Sequence, residues 1–255
     1  MINKNIMKTI LIAFLAIGFG IQVHAQDLIK FYEGGKAGYK DKSGKVIVPA
    51  KYVAGSDFFD GLALVLEGRK RGFINGKGEV QIPFEYDDAS IFVKGIAKVG
   101  KAGKYGYINK ENKVVIELQY DFADDFINGM ARVSKGGKFG FIGLDGKEIL
   151  PLKYSNAHNF TEGVAAVKED KWGYINEKGI YVIPAQYEDA VMFYQGNAVV
   201  AKDGKRFYID HKGKFVKDVP KHEDEEEQMK GKKEGGKGES EREREREREK
   251  SKNKK

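Results

Sequence analysis

The chain has 255 residues, no cysteine, 33% charged residues and a formal net charge of +7. Without cysteine there is no disulfide framework, no thiol catalysis and no thiolate metal site. Two lysines in the first 25 residues and a tail with 13 basic and 12 acidic residues leave only +4 for residues 26–220, which gives no support for a nucleic-acid partner.

The chain opens "MINKNIMKTILIAFLAIGFGIQVHAQ". Lys4 and Lys8 precede an apolar run of 13 residues, Thr9 to Ile21, and Val23-His24-Ala25 then gives the small-residue spacing that a signal peptidase accepts. Residues 1–25 are therefore expected to be a cleaved signal peptide, with Gln26 the first mature residue. The run is shorter than the roughly 20 residues a membrane span needs, and no comparable run follows. No cysteine follows it either, which closes the bacterial lipoprotein route. The expectation is an exported protein, periplasmic or extracellular, with no stable membrane span.

From Gln26 to Pro220 the sequence repeats itself. Equivalent glycines fall at Gly38, Gly72, Gly106, Gly140 and Gly173, with Phe207 in the sixth place, in steps of 33 or 34 residues. Other columns keep the same period: Pro49, Pro83, Glu117, Pro151 and Pro184; Tyr52, Tyr86, Tyr120, Tyr154 and Tyr187; Phe58, Phe92, Phe126, Phe160 and Phe193; Gly61, Gly95, Gly129, Gly163 and Gly196. An alanine and a valine then follow in each cycle, as at Ala131 and Val133. Such a period marks a stack of supersecondary units.

A period of 34 also fits paired helices, but the texture is that of strands. In "MARVSKGGKFGFIGLDGKEILP" short β-branched and aromatic runs flank "KGGK" and "LDGK", which are hairpin signals. Ala131 and Val133 alternate with Arg132 and Ser134, the period of a half-buried strand. Each cycle reads as three strands and a loop; in the fourth these are Met130 to Ser134, Phe139 to Gly143 and Glu148 to Pro151, then "LKYSNAHNFTEG". Proline is expected to end the third strand, and the glycine to admit a close neighbour or a positive φ. The fold class is all-β, a tandem array of about six three-stranded units. An open solenoid is expected rather than a closed propeller, whose blades usually take four strands and about 40 or more residues.

Lys171-Trp172-Gly173-Tyr174-Ile175-Asn176, with Gly179, Val182, Ile183, Pro184, Tyr187, Phe193, Gly196 and Ala198, resembles the WG-repeat (KWG-repeat) family of bacterial proteins over about residues 28–217. The resemblance implies a β-repeat array with binding roles in the envelope, and it brings no catalytic residues. The tryptophan position holds Ala37, Arg71, Tyr105, Phe139 and Arg206 elsewhere, so tryptophan chemistry is not what the repeat is for.

After Pro220 the texture changes to "KHEDEEEQMKGKKEGGKGESEREREREREKSKNKK", with no aromatic residue and Met229 as its one apolar side chain. Residues 221–255 are expected to be a disordered charged tail.

No constellation for chemistry emerges. His158, His211 and His222 do not recur, lack a carboxylate or serine partner at a recognisable spacing, and read as exposed. Paired histidine spacings for a metal are missing. Asp87-Asp88, Asp124-Asp125 and Glu188-Asp189 suit a glycosidase only if two carboxylates face each other across a cleft. "GKAGKYG" at Gly100 to Gly106 lies between strands rather than opening a helix, so it is not a phosphate loop. Most aromatic residues keep step with the structural glycines and read as core. The position before the glycine mixes rings with arginine, so Arg71, Tyr105, Phe139, Trp172 and Arg206 are the candidate binding surface. The expected function is non-catalytic binding of an envelope protein, with no cofactor and no metal. The alternative is a glycan or peptidoglycan binder using exposed rings, and a glycoside hydrolase is third.

Overall fold

A computed structural model describes residues 28–220. The expected signal peptide and charged tail lie outside the described residues. Compactness divides the chain after Gly95, giving two units whose described parts are 28–95 and 96–220.

The first unit holds β1 (Ile29–Glu33), β2 (Lys36–Lys40) and β3 (Val46–Tyr52), paired in that order, then a sheet of β4 (Ala54–Phe59), β5 (Leu62–Glu67), β6 (Lys70–Asn75) and β7 (Val80–Tyr86), with β8 (Asp88–Ala89) last. The second opens with β9 (Ile96–Lys101), β10 (Lys104–Asn109) and β11 (Val114–Tyr120). Three four-stranded sheets follow. One is β12 (Phe122–Ala123), β13 (Met130–Lys135), β14 (Lys138–Gly143) and β15 (Glu148–Tyr154). The next is β16 (Asn156–Ala157), β17 (Val164–Lys168), β18 (Trp172–Asn176) and β19 (Tyr181–Tyr187). The last is β20 (Asp189–Ala190), β21 (Ala198–Lys202), β22 (Lys205–Ile209) and β23 (Phe215–Asp218). Every pairing within these sheets is antiparallel. The protein is an all-β tandem repeat. To the three strands read from the sequence, the loop adds a fourth, of six residues in β4 and of two in β8, β12, β16 and β20.

That fourth strand is closed by a tight turn at each tip. Residue pairs such as Asn128-Gly129, Glu162-Gly163 and Gln195-Gly196 both have positive φ, near 51° and 80°. Two left-handed residues in succession form a type I′ hairpin turn, which explains the glycine column at the second position.

The other glycine column solves a packing problem. Phe139 pairs with Tyr154 and Phe141 with Leu150, so a two-residue step on β14 faces four residues of β15. The bulged backbone crosses directly over Gly140, where a Cβ would stand 2.7 Å from the Leu150 carbonyl oxygen and 2.8 Å from the Leu152 nitrogen. Gly38, Gly72, Gly106 and Gly173 meet backbone equally closely. At the sixth place Phe207 pairs regularly with Asp218, and the bulge is missing there.

Proline does not end the third strand. Pro49, Pro83, Pro151 and Pro184 lie inside β3, β7, β15 and β19, solvent-exposed on strands at the sheet edge. A proline there removes an outward N–H and blunts the edge against pairing with another chain, while the inward ladder is kept.

The core follows the columns. Ala131, Val133, Ala165, Val167, Ala198 and Val200 are buried, as are all five column tyrosines. The aromatic residue after the glycine meets the column phenylalanine edge-on in four cycles, Tyr39 on Phe58, Phe73 on Phe92, Phe141 on Phe160 and Tyr174 on Phe193, with centroids 4.8 to 5.2 Å apart, and tilted in the third, Tyr107 on Phe126 at 4.7 Å. Burying such a ring is worth roughly 1.5–3 kcal/mol, and the edge-to-face contact adds about 0.5–1.5 kcal/mol. Where this residue is tyrosine, its hydroxyl donates to a backbone carbonyl 17 residues on: Tyr39 to Ser56, Tyr107 to Asp124 and Tyr174 to Val191. Burial holds all three phenols well above their ordinary range.

Successive sheets lock through their second turns. In the second unit Gly146 covers Ile116, Gly179 covers Leu150 and Gly213 covers Ile183, each against a buried aliphatic side chain of the preceding cycle. The turns are shaped by a side chain accepting two backbone N–H groups: Asn109 from Glu111 and Lys113, Asn176 from Lys178 and Ile180, Asp210 from Lys212 and Lys214. In the fourth cycle this position is Gly143, and Asp145 bonds the Lys147 N–H instead.

Candidate functional site

The five residues of the candidate column do not share one environment. In the first unit Arg71 is half-buried, donating to the Asp87 carbonyl and pairing with Asp88 at 3.2 Å. In the second, Tyr105 and Phe139 are half-buried and Arg206 is exposed. Trp172 departs from the expectation of a partly open surface: it is 4% exposed and belongs to the core cluster with Tyr174, Ile183 and Phe193.

The reason is what caps each ring. His158 lies flat on Trp172, centroids 5.1 Å apart and planes 19° apart. Phe139 is flanked by Phe122 at 6.0 Å and by the Arg132 guanidinium at 5.8 Å, which also sits 5.0 Å from the Phe122 ring. The Lys98 ammonium stands 5.9 Å from Tyr105. The residue opposite the column, on a loop for His158 and on a strand for Arg132 and Lys98, decides whether a ring is covered, and in one sequence that pairing is invisible.

Arg132 engages groups on two sheets and was not singled out in the sequence. Its Nε donates to Asp124 at 2.8 Å and its Nη1 to the Ala157 carbonyl of the next sheet. Only alternation marked it, as a polar residue on the strand face opposite Ala131 and Val133. Arg132, Met130, Phe141, Phe160, Asn128 and Asn159 line a shallow depression at the seam between the fourth and fifth cycles.

Two histidines depart from the sequence reading as exposed and unpartnered. His158 is half-buried, and desolvation, with Arg132 adding to it, lowers its pKa below the usual imidazole value. His211 lies flat against Phe193, centroids 4.1 Å apart, and its Nε2 is 2.8 Å from Glu162. The Glu162 carboxylate also accepts the Gly196 N–H at 3.0 Å, and the His211 hydrogen bond holds its pKa below the usual carboxylate value. The spacing of 49 residues hid this pair.

The acidic pairs are drawn into backbone and lysine contacts. Asp87 pairs with Lys70, Asp124 with Arg132, and Glu188 accepts the turn N–H groups of Asp203 and Gly204. Among the described residues no group of three or more histidines or carboxylates has the geometry of a metal site. No helix there is long and apolar enough to cross a membrane.

Stacked antiparallel sheets with a glycine-bulge column and a turn lock define a β-repeat protein with surface-presenting hairpins. The family model for the WG containing repeat matches residues 38–70, 72–105, 105–139, 139–171 and 172–205, and the chain belongs to that family. No curated protein matches it. Among solved structures, a eukaryotic initiation factor is similar at 8% identity and TM-score 0.49, with 74% of this chain covered; this chain spans 61% of that one. Hsv2 of Kluyveromyces lactis is similar at 10% identity and TM-score 0.43, covering 74% and 72% of the two chains. PorZ, a surface component of the type-IX secretion system of Porphyromonas gingivalis, is similar at 9% identity and TM-score 0.36, covering 76% and 31%.

Proposed function

We propose that the chain is a non-catalytic, exported scaffold that presents its repeats to a protein partner in the bacterial envelope. The observation that carries this reading is an exposed apolar side chain at two of three equivalent hairpin tips of the second unit, the third being Thr161. Ile127 and Tyr194 each precede a type I′ turn, are 50% and 74% exposed, and occupy the same position in different cycles of the second unit. Leaving such groups in water contributes nothing to stability, and apolar side chains displayed in register suit a partner surface. The signal-peptide pattern of residues 1–25 supports export.

Retention of a discrete envelope protein by the purified mature chain, lost in the Ile127→Ser, Tyr194→Ser variant, tests the proposal. Co-sedimentation with peptidoglycan and no retained protein would sink it and favour the glycan reading.

A further inference from the structure

At the other end of the long strands, the two units differ in charge. In the first unit the residues flanking the β1–β2 and β5–β6 turns are directly opposed as Glu33 with Lys36 and Glu67 with Lys70. In the second unit the same register position opposes Lys101 with Lys104, Lys135 with Lys138 and Lys202 with Lys205. Like charges directly across a strand pair are destabilising, and opposite charges there are stabilising. Three of the second unit's four hairpins carry the unfavourable version, although the first unit shows that the fold accepts the favourable one. Lys104, Lys138 and Lys205 each precede a member of the candidate column (Tyr105, Phe139 and Arg206).

The structure also displays what these tips bind. Asp121 places one carboxylate oxygen on the Lys104 ammonium and the other on the Gly136 N–H, at 2.7 Å for the latter. Glu188 accepts only the turn N–H groups of Asp203 and Gly204, at 3.2 and 3.4 Å. The turns Ala102-Gly103, Gly136-Gly137 and Asp203-Gly204 are left-handed at both residues. A left-handed turn beside a lysine is thus a carboxylate acceptor, used here by the chain's own side chains. Asp121 offsets the Lys104 charge, whereas the Lys135 and Lys202 ammonium groups donate to the uncharged amide oxygens of Gln119 and Gln186, contacts that leave their charge in place.

We infer that the lysine-paired hairpin tips of the second unit form a docking edge for an acidic segment of a partner protein, whose Asp and Glu side chains extend the lysine–turn contact that Asp121 already makes. This edge is independent of the apolar tips at Ile127 and Tyr194.

The test is fluorescence anisotropy of a labelled octa-glutamate peptide with the full chain, against octa-glutamine. The discriminating variant is Lys101→Glu, Lys135→Glu, Lys202→Glu, which writes the first unit's glutamate–lysine pattern into the second and is expected to keep or raise the melting temperature. Octa-glutamate should bind the native chain in preference to octa-glutamine, and the variant should bind it at least about tenfold more weakly. Equal binding by the variant, or equal binding of octa-glutamine, overturns the proposal. Polygalacturonate bound as tightly as the peptide would reassign the edge to an acidic polysaccharide. The sequence just beyond Pro220 contains an acidic run, Glu223 to Glu227. If octa-glutamate binds only the full chain carrying Glu223→Gln, Asp224→Asn, Glu225→Gln, Glu226→Gln and Glu227→Gln, the edge belongs to the chain's own acidic run and the partner-protein assignment fails.

Discussion

In the fifth cycle Gly173 admits the bulge of β19, Tyr174 is fully buried, and Ile183 is covered by Gly213 from the cycle that follows. In the sixth, Phe207 stands in the glycine's place and the adjoining pairing is regular, Tyr208 is half-buried, and Lys217 occupies the position of Ile183. Lys217 is exposed and lays its ammonium over Tyr208 at 4.9 Å. The position that the interior cycles of the second unit fill with an aliphatic (Ile116, Leu150 and Ile183) for the successor to cover becomes a charge where no described successor covers it. Repeat arrays need such a polar outer face at a terminus, because each unit buries its apolar side only against a neighbour. The interior columns therefore report the contact between cycles as much as the fold of each one.

Breaking the interior side of the comparison should have the largest effect. Gly173→Val would set a Cβ 2.7 Å from the Ala185 nitrogen, with backbone rather than a movable side chain in the way. The expected loss is about 3 kcal/mol or more, at the top of the range for single substitutions, read from urea unfolding. Phe207→Gly should cost less, because no bulge presses on that position. Next in size, Ile183→Ala should cost about 2–4 kcal/mol, whereas Lys217→Ile should stay within about 0.5 kcal/mol and lower solubility instead. Tyr107→Phe removes the hydroxyl that donates to the Asp124 carbonyl at 2.6 Å. It should cost about 1 kcal/mol, since Phe73 and Phe141 already fill the same position without a hydroxyl.

The smallest effect concerns pH. Glu162 has its folded pKa depressed, so its contribution is present above the ordinary carboxylate pKa and is lost as pH falls through the folded value. Melting temperatures at pH 6 and pH 3 should therefore differ less in Glu162→Gln than in the native chain. An unchanged difference would remove the Glu162–His211 contact from the account of how the sixth cycle is held.

Much of this was legible in the sequence, and for identifiable reasons. Period and alternation are local, so strand type, hairpin turns and the buried alanine–valine positions followed from Ala131, Val133 and their counterparts. The glycine column was read as admitting either a close neighbour or a positive φ, and the sequence did not say which strand approaches it. That depends on the two extra residues of β15, a register property that no single strand shows. Proline was read as an end because it lacks an N–H; the structure uses the same lack in mid-strand, where the N–H would have pointed to solvent. The candidate surface was legible only as a column. Whether Trp172 is covered depends on His158, and whether Phe139 is covered depends on Arg132, residues the period places opposite but whose types vary from cycle to cycle. The lysine pairs stood in plain view in "KAGK" and "KGGK". They acquired meaning only when the register showed them directly opposed, and glutamate in the same place in the first unit.

The contrast between interior and terminal cycles is tested most directly by native-state hydrogen exchange, comparing the amides of β18 with those of β22. The account predicts slow exchange with near-global protection for Trp172 to Asn176, and markedly faster exchange for Lys205 to Ile209. Equal protection of the two strands, or slower exchange in β22, would contradict it.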